Sequence, residues 1–350
     1  MKSLIFGMTL FSLGLTAQAQ TKAFNPDISV NFLGLFERGT NISNDRTQVP
    51  HNGFSLQEAE VQFLSDVDPY LKASALLSVS QNPGTTDFGI SPEEVFLEST
   101  SIPNITLKAG KFKMALGKHN QLHTHAFPFI DAPLIHQALL GDEGLNDAGI
   151  SASVLIPAHW YSEMIVQGFS LSNDTLYKST NSGSIGGLAH FKNLFDLTDD
   201  LTLEFGASGT EGNNQWGKTS SVFGSDLTFK WRPAEGGKYK AFIWSTEYLN
   251  GNRPGMSTDT AHLGGLATWI QYQFAERWWA EGRYEFVGLP YSSEIPLQNK
   301  QSALLAFFPS EFSGFRIQYD HLMTAGKAVQ DHAIAFQYNV TIGAHPAHAY

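Results

Sequence analysis

The chain alternates between short polar turns and longer loops, and this rhythm constrains the fold more than any single motif. Tight connections occur at residues 66–69, 101–104, 157–160, 196–200, 233–238, 275–277 and 309–314. Between successive turns lie two segments of alternating apolar and polar residues, joined by a longer loop rich in Gly, Asn, Ser and Thr. Alternation with a period of two is typical of β-strands whose two faces meet different surroundings. Short turns at one end and long loops at the other are typical of an antiparallel barrel that crosses a membrane.

The last segment shows the alternation most clearly. One face carries Ile334, Phe336, Tyr338, Val340 and Ile342, and the other carries small or polar side chains. About sixteen such segments can be counted. They lie at residues 27–37, 54–65, 70–79, 93–100, 104–112, 147–156, 161–170, 183–194, 200–209, 219–232, 238–248, 261–274, 278–288, 300–308, 313–322 and 331–343. The pattern predicts an all-β fold, a transmembrane antiparallel β-barrel of about 16 strands.

A soluble sheet with one wet face would show the same alternation. The apolar face recurs in nearly every segment, however, and no amphipathic helix is available to cover it. No stretch after the first twenty residues reaches the roughly 20 apolar residues that a membrane helix needs. The sequence therefore favours insertion into the membrane as strands, with the apolar faces turned towards lipid.

The N-terminus has the features of a secretory signal peptide. Lys2 precedes an apolar run over residues 4–15, and Ala17-Gln18-Ala19 matches the pattern of a cleavage site. We expect a signal peptide at residues 1–19 and a single barrel domain at residues 20–350. Cysteine is absent, so neither a disulfide nor a thiolate metal site can form. The formal net charge of −11 argues against a nucleic-acid partner.

Residues 113–146 break the alternation. This long loop follows the fifth segment and contains four histidines, two internal prolines and the sequence Leu-Gly-Asp-Glu-Gly at 140–144. Its many apolar residues are unusual for a solvated loop of this length. We expect the loop to fold into the barrel and to form a constriction. The alternative is a cap on the extracellular side.

The stretch around this loop resembles a family of porin-like barrels from Gram-negative outer membranes that are related to the phosphate-selective porins. The resemblance rests on Leu-Lys-Ala-Gly-Lys-Phe at 107–112 and on Gly-Ile-Ser-Ala-Ser at 149–153. A narrower resemblance is to outer-membrane proteins described as zinc-regulated. It rests on the segments 117–125, 129–131 and 139–145 and on the tail 343–350. It implies a location in the outer membrane and a link to zinc.

Alternation also predicts which charged residues face the lumen. The predicted lining residues are Glu58, Glu60, Lys72, Glu94, Glu98, Lys108, Glu204, Lys230, Glu247, Glu281, Arg283, Glu285, Arg316 and Asp320. Acids outnumber bases in this set by nine to five, which favours cations weakly. Lys111, Lys113 and Lys118 could still form a local basic constriction, so anion passage remains an alternative.

The histidines of the loop are the candidate metal ligands. His119 and His123 have the spacing of one helical face, His123 and His125 that of one strand face, and His136 lies nearby in sequence. Neutral imidazole binds zinc, copper or nickel. The resemblance to zinc-regulated proteins makes zinc the candidate cofactor. The alternative is a polar loop whose histidines form local hydrogen bonds. The tail at 344–350 is expected in the periplasm.

Three functional hypotheses follow. The first is an outer-membrane porin, a passive channel for small hydrophilic solutes or ions, with a homotrimer by analogy with general porins. The second is a zinc-responsive outer-membrane receptor that uses the loop histidines. The third is a structural or adhesive barrel whose lumen is blocked. No spacing of Ser, His and carboxylates selects a catalytic set, so we expect no enzyme.

Overall fold

Sixteen antiparallel strands close into one barrel in the computed structural model, which describes residues 26–179, 181, 183–255 and 261–343. The strands are β1 (Asp27–Gly39), β2 (Gly53–Asp68), β3 (Leu71–Gln81), β4 (Phe88–Ser99), β5 (Ile105–Lys113), β6 (Asn146–Leu155), β7 (Tyr161–Phe169), β8 (Gly186–Thr198), β9 (Leu201–Asn213), β10 (Thr219–Trp231), β11 (Ala241–Asn252), β12 (His262–Ala275), β13 (Trp278–Ser292), β14 (Gln298–Ser310), β15 (Ser313–Thr324) and β16 (Asp331–Gly343). The predicted signal peptide and tail lie outside the described residues.

Each strand pairs with its neighbours in sequence, and the barrel closes where β1 pairs with β16. In that closing pair Phe36 lies opposite Phe336. The predicted all-β antiparallel barrel of 16 strands is confirmed. Among the described residues, no helix combines the length and the apolar character needed to cross a membrane.

The two faces of the sheet differ in exposure as the alternation predicts. On β15, Ile317 is exposed, whereas Arg316 and Gln318 are buried. Exposed Leu305 and Phe336 lie directly opposite Ile317 on the neighbouring strands, so the outer face carries a continuous apolar surface. Charged and amide side chains such as Arg316 and Gln318 occupy the inner face.

The largest difference at a strand start is at β4. β4 starts at Phe88, although the expected start was residue 93, because Gly89 and Pro92 weaken the strand signal in sequence. The pairing of β3 with β4 shifts at this point, since Leu76 lies opposite Glu94 and Leu77 lies opposite Pro92. Glu93 is thus the extra residue of a β-bulge.

The barrel interior contains two apolar clusters that position the site. The larger one joins residues of the β5–β6 loop, of the β7–β8 loop and of the nearby ends of several strands. Its buried members include Leu116, Ile135, Leu139, Leu145, Leu171, Tyr177, Leu249 and Leu263. The smaller cluster packs Phe129 and Ile130 of the β5–β6 loop against inward-facing residues such as Leu304 and Ala335.

Candidate functional site

The loop between β5 and β6, residues 114–145, packs against inner-face side chains of strands spaced around the barrel. It contains two short 3-10 turns and one helix, α1 (Leu134–Leu140). The backbone N–H of Gly117 donates to Ser208 Oγ of β9 at 2.9 Å. Arg316 of β15 donates to the carbonyl oxygen of Phe127 at 2.6 Å. That this loop acts as a constriction stays a prediction.

Asp131, near the middle of the loop, is the centre of an ionic cluster. Its carboxylate accepts hydrogen bonds from Arg283 Nη2 at 2.7 Å, Lys300 Nζ at 2.5 Å and Gln318 Nε2 at 2.6 Å. Burial raises the pKa of Asp131, but the positive charges of Arg283 and Lys300 outweigh it and hold the pKa below its usual range. The guanidinium of Arg283 also lies 4.4 Å from the ring centroid of Phe129. Side chains of β13, β14 and β15 thus all contact Asp131.

Two of the loop histidines share a second cluster with Glu247 of β11. His136 Nε2 lies 3.1 Å from Glu247 Oε1, and the backbone N–H of His119 donates to Glu247 Oε2 at 3.1 Å. The ring centroids of His119 and His136 are 4.9 Å apart. Burial lowers the pKa of His119 well below its ordinary value, so this imidazole is neutral at physiological pH.

The other two histidines face the opposite wall, formed by β2 and β4. His123 Nδ1 lies 3.0 Å from Glu93 Oε1, and His123 Nε2 lies 3.1 Å from Glu94 Oε2. His125 Nδ1 contacts Glu60 Oε2 of β2. Burial lowers the pKa of His123, but hydrogen bonds to Glu93 and Glu94 and their charges outweigh it and raise the pKa above its ordinary value.

The structure does not bring the four candidate metal ligands His119, His123, His125 and His136 into one site. They form two pairs on different sides of the loop. The expectation of one helical face for His119 and His123 is wrong, because residues 119–121 and 124–126 form separate 3-10 turns with His123 extended between them. The strand-like spacing of His123 and His125 does bring their rings together, parallel and 5.9 Å apart.

All the predicted lining residues are buried or half-buried, as expected for an inner face. Their surroundings differ across the barrel. Glu98 and Lys108 keep side-chain exposures of 32% and 28%, whereas Arg283 and Glu285 are exposed by 2% and 1%. Glu247 is equally enclosed, because the loop covers it. That the set lines a solute path stays a prediction.

Several charged side chains inside the barrel were not predicted from the sequence. Lys300 and Asp226 each lie two residues from another inner-face position of the same strand. Strict use of the alternation would have predicted that both side chains point into the barrel. Glu93 could not be found in this way, since the bulge brings both Glu93 and Glu94 to His123. Asp131 lies in an irregular loop, where no periodicity predicts which way a side chain points.

Comparisons with known proteins agree with this architecture. No family model matches the chain. A curated but uncharacterized protein of Aquifex aeolicus (strain VF5) is 26% identical over 94% of this chain and 81% of its own length. This relative therefore suggests no function for the chain.

Among solved structures, the chain is similar to an anion-selective porin from Comamonas acidovorans, with a TM-score of 0.56, 10% identity and coverage of 91% of this chain and 98% of that one. It is similar to Salmonella typhi OmpF in complex with daunomycin, with a TM-score of 0.60, 11% identity and coverage of 91% and 98%. It is also similar to the trimer form of Vibrio cholerae OmpT, an outer membrane protein, with a TM-score of 0.57, 9% identity and coverage of 91% and 99%.

These likenesses define the fold as that of the outer-membrane porins. At such low identity they show the fold alone. None of them supports the narrower resemblance to zinc-regulated outer-membrane proteins.

Proposed function

We propose that the protein is a passive outer-membrane channel for small hydrophilic solutes or ions, and that residues 114–145 set its constriction. The observation that carries this proposal is the partial exposure of charged side chains inside the barrel. Lys118 of the loop and Lys192 of β8 keep exposures of 24% and 34%. A charged side chain inside a barrel that retains exposure is in contact with lumenal water.

Two partly exposed lysines lie on one side of the loop. Lys118 Nζ lies 3.1 Å and Lys192 Nζ lies 3.6 Å from the carboxylate of Glu204 on β9. On the other side, the loop is tied to β13 and β14 through Arg283 and Lys300, whose side chains are 2% and 9% exposed. We therefore place the solute path along the wall of β4, β5, β8 and β9.

Charges of both signs line this path, and the excess of acids in the predicted lining set supports a weak preference for cations. In a narrow, wet pore such charges act on a passing ion through the local field, without any energy input. The basic residues Lys108, Lys118 and Lys192 are the part of the wall that would oppose cations.

Planar-bilayer recording of the purified, folded protein tests the proposal. We expect discrete open steps and a reversal potential in a KCl gradient whose sign shows passage of K⁺ over Cl⁻. Silence of protein that is demonstrably folded would contradict the channel function. A reversal potential of the opposite sign would contradict only the cation preference.

A second candidate is a structural or adhesive barrel with a blocked lumen. The two apolar clusters inside the barrel favour it, because dry packing such as that of Leu139 and Leu249 closes part of the cross-section. Swelling of proteoliposomes in an arabinose solution distinguishes the candidates. Swelling supports the channel, and its absence supports the blocked barrel.

The cellular setting is part of the same proposal. We infer export through cleavage of residues 1–19, insertion among outer-membrane lipids and assembly as a homotrimer. The trimer is supported by the trimer form of OmpT, whose fold the chain shares. Light scattering of the detergent-solubilised protein measures the mass directly, and a monomer would contradict this part.

A further inference from the structure

We propose that Glu60, Glu93 and His123 form a binding site for a divalent first-row transition-metal ion inside the barrel. Each residue offers one ligand atom, and the three atoms all lie within 4.8 Å of one another. They come from three separate parts of the chain, namely β2, the bulge of β4 and the β5–β6 loop. This inference rests on these side chains alone and does not depend on the proposed channel function.

The donor set determines the class of metal. Two carboxylate oxygens and one imidazole nitrogen, with no thiolate available in the chain, suit Zn²⁺, Ni²⁺, Co²⁺ or Fe²⁺ better than a soft monovalent ion. Three protein ligands leave a fourth position for water, as in accessible zinc sites. His123 is 20% exposed, so an ion can reach the cluster from the lumen.

One ligand oxygen has no partner. Glu93 is 3% exposed, and no donor in the described part of the chain reaches its Oε2 atom, although Oε1 contacts both Lys113 and His123. A buried carboxylate oxygen without a hydrogen bond costs free energy. A metal ion at this position would satisfy it.

Neighbouring groups hold each ligand in place. Glu94 Oε2 lies 3.1 Å from His123 Nε2, which leaves Nδ1 on the side of Glu93. Lys113 Nζ lies 3.1 Å from Glu93 Oε1. His125 contacts Glu60. A carboxylate on the second nitrogen of a histidine ligand fixes the orientation of the ring and makes it a stronger ligand.

The local charge favours a cation. Glu58 lies on the same face of β2 as Glu60, and its carboxylate accepts from Ser78. Four carboxylates, those of Glu58, Glu60, Glu93 and Glu94, thus surround one lysine and two histidines. Binding would require His123 to release the proton that Nδ1 shares with Glu93, and the ion would then bridge the loop to the β2–β4 wall.

Metal titration of the untagged, folded protein in detergent tests the site. After removal of metals with EDTA, calorimetry with ZnCl₂ is expected to show one ion per chain. CoCl₂ is expected to give visible absorption bands of a four- or five-coordinate ion. The variants Glu93→Gln and His123→Gln should weaken binding by at least about tenfold, and Glu60→Gln should do the same.

Two histidine variants are controls. His119→Gln removes a histidine of the other loop pair, and His332→Gln removes a ring that stacks on His321 at 4.7 Å in β15. Both should leave the affinity unchanged. The shift of the folded band on an unheated gel confirms that each variant is folded. Absence of saturable binding, or binding that survives in folded Glu93→Gln and His123→Gln, would overturn the proposal, as would binding lost only in His332→Gln.

Discussion

The carboxylate of Asp131 lies 2.7 Å from Nη2 of Arg283, and this ion pair joins the β5–β6 loop to the wall of the barrel at β13. The side chain of Arg283 is only 2% exposed, so water cannot replace the carboxylate without opening the loop. Lys300 of β14 approaches the second carboxylate oxygen at 2.5 Å. The position of this middle part of the loop therefore depends on Asp131, while Glu247 and Arg316 hold other parts of it.

Replacing this acid tests that dependence. Asp131→Asn leaves two buried cations short of a counter-charge, and we expect a loss of about 3 kcal/mol in the free energy of unfolding. This value is at the lower end for a broken buried pair, because Asp131 itself is 29% exposed. We also expect larger and noisier conductance steps. Denaturant unfolding in detergent and bilayer recording measure the two effects.

Asp142→Asn is the matched control, since it removes the same charge from an exposed position of the same loop. It should change neither stability nor conductance by a measurable amount. Equal behaviour of the two variants would show that the Asp131 cluster does not hold the loop.

The same ion pair predicts a pH dependence. The pKa of Asp131 is lowered in the folded state by Arg283 and Lys300, so the unfolded state binds the proton first as pH falls. Its stabilisation is fully present above the unfolded value of about 4 and is lost as pH falls through the lowered pKa. The stability difference between the wild type and Asp131→Asn should be constant from neutral pH to roughly pH 5 and should shrink only in stronger acid. A difference that disappears near pH 6 would contradict this.

Gly117 gives a prediction that separates packing from backbone strain. Its φ is +65°, and an added Cβ would lie 1.9 Å from Glu247 Oε1. Gly217 has a φ of +70°, with no heavy atom of the described chain within 4 Å of such a Cβ. Both Gly→Ala variants cost about 1–2 kcal/mol from the left-handed backbone. Gly117→Ala should cost about 1–3 kcal/mol more, from the clash with Glu247.

Thermal unfolding of the two variants side by side measures this difference. Gly117→Ala should also raise the conductance, because Glu247 holds His119 and His136 of the loop. If both variants lose the same stability, the contact between the loop and Glu247 is looser than the structure shows.

The outer face predicts an effect of lipid. Ile317 lies in the middle of β15 between exposed Leu305 and Phe336. Ile317→Lys should lower the stability of the barrel in phospholipid bilayers by about 2–4 kcal/mol, the range for a lysine at the bilayer midplane. Val329→Lys, at a residue 71% exposed in the β15–β16 loop, should cost little. Equal effects in a urea titration from vesicles would argue against a lipid belt at this position.

The sequence was sufficient to predict the barrel because its constraint is periodic. Successive side chains of a strand point to opposite faces. In β16, residues 331–343, the apolar residues therefore define the outer face, and the residues between them define the inner face. The prediction was weakest at β4, where Gly89 and Pro92 resemble turn residues but lie within the strand. The strand tolerates Pro92 because the bulge interrupts the ladder there.

The interior site was less predictable, and the reason is physical. Asp131 gains its role from Arg283 and Lys300, which lie more than 150 residues away in sequence. Nothing local requires an acid at that point of the loop. The histidines were found as a group, but their division into two pairs depends on the path of the loop between opposite walls, and no period in the sequence describes that path.

Single-channel conductance tests most directly whether residues 114–145 form the constriction of an open barrel. The wild type is compared with a variant in which residues 118–142 are replaced by a short Gly-Ser linker, both shown to be folded by gel shift. We predict small, resolved steps for the wild type and clearly larger steps for the variant. Steps of equal size would show that these residues do not form the constriction, and a wild type that never conducts would contradict the channel function.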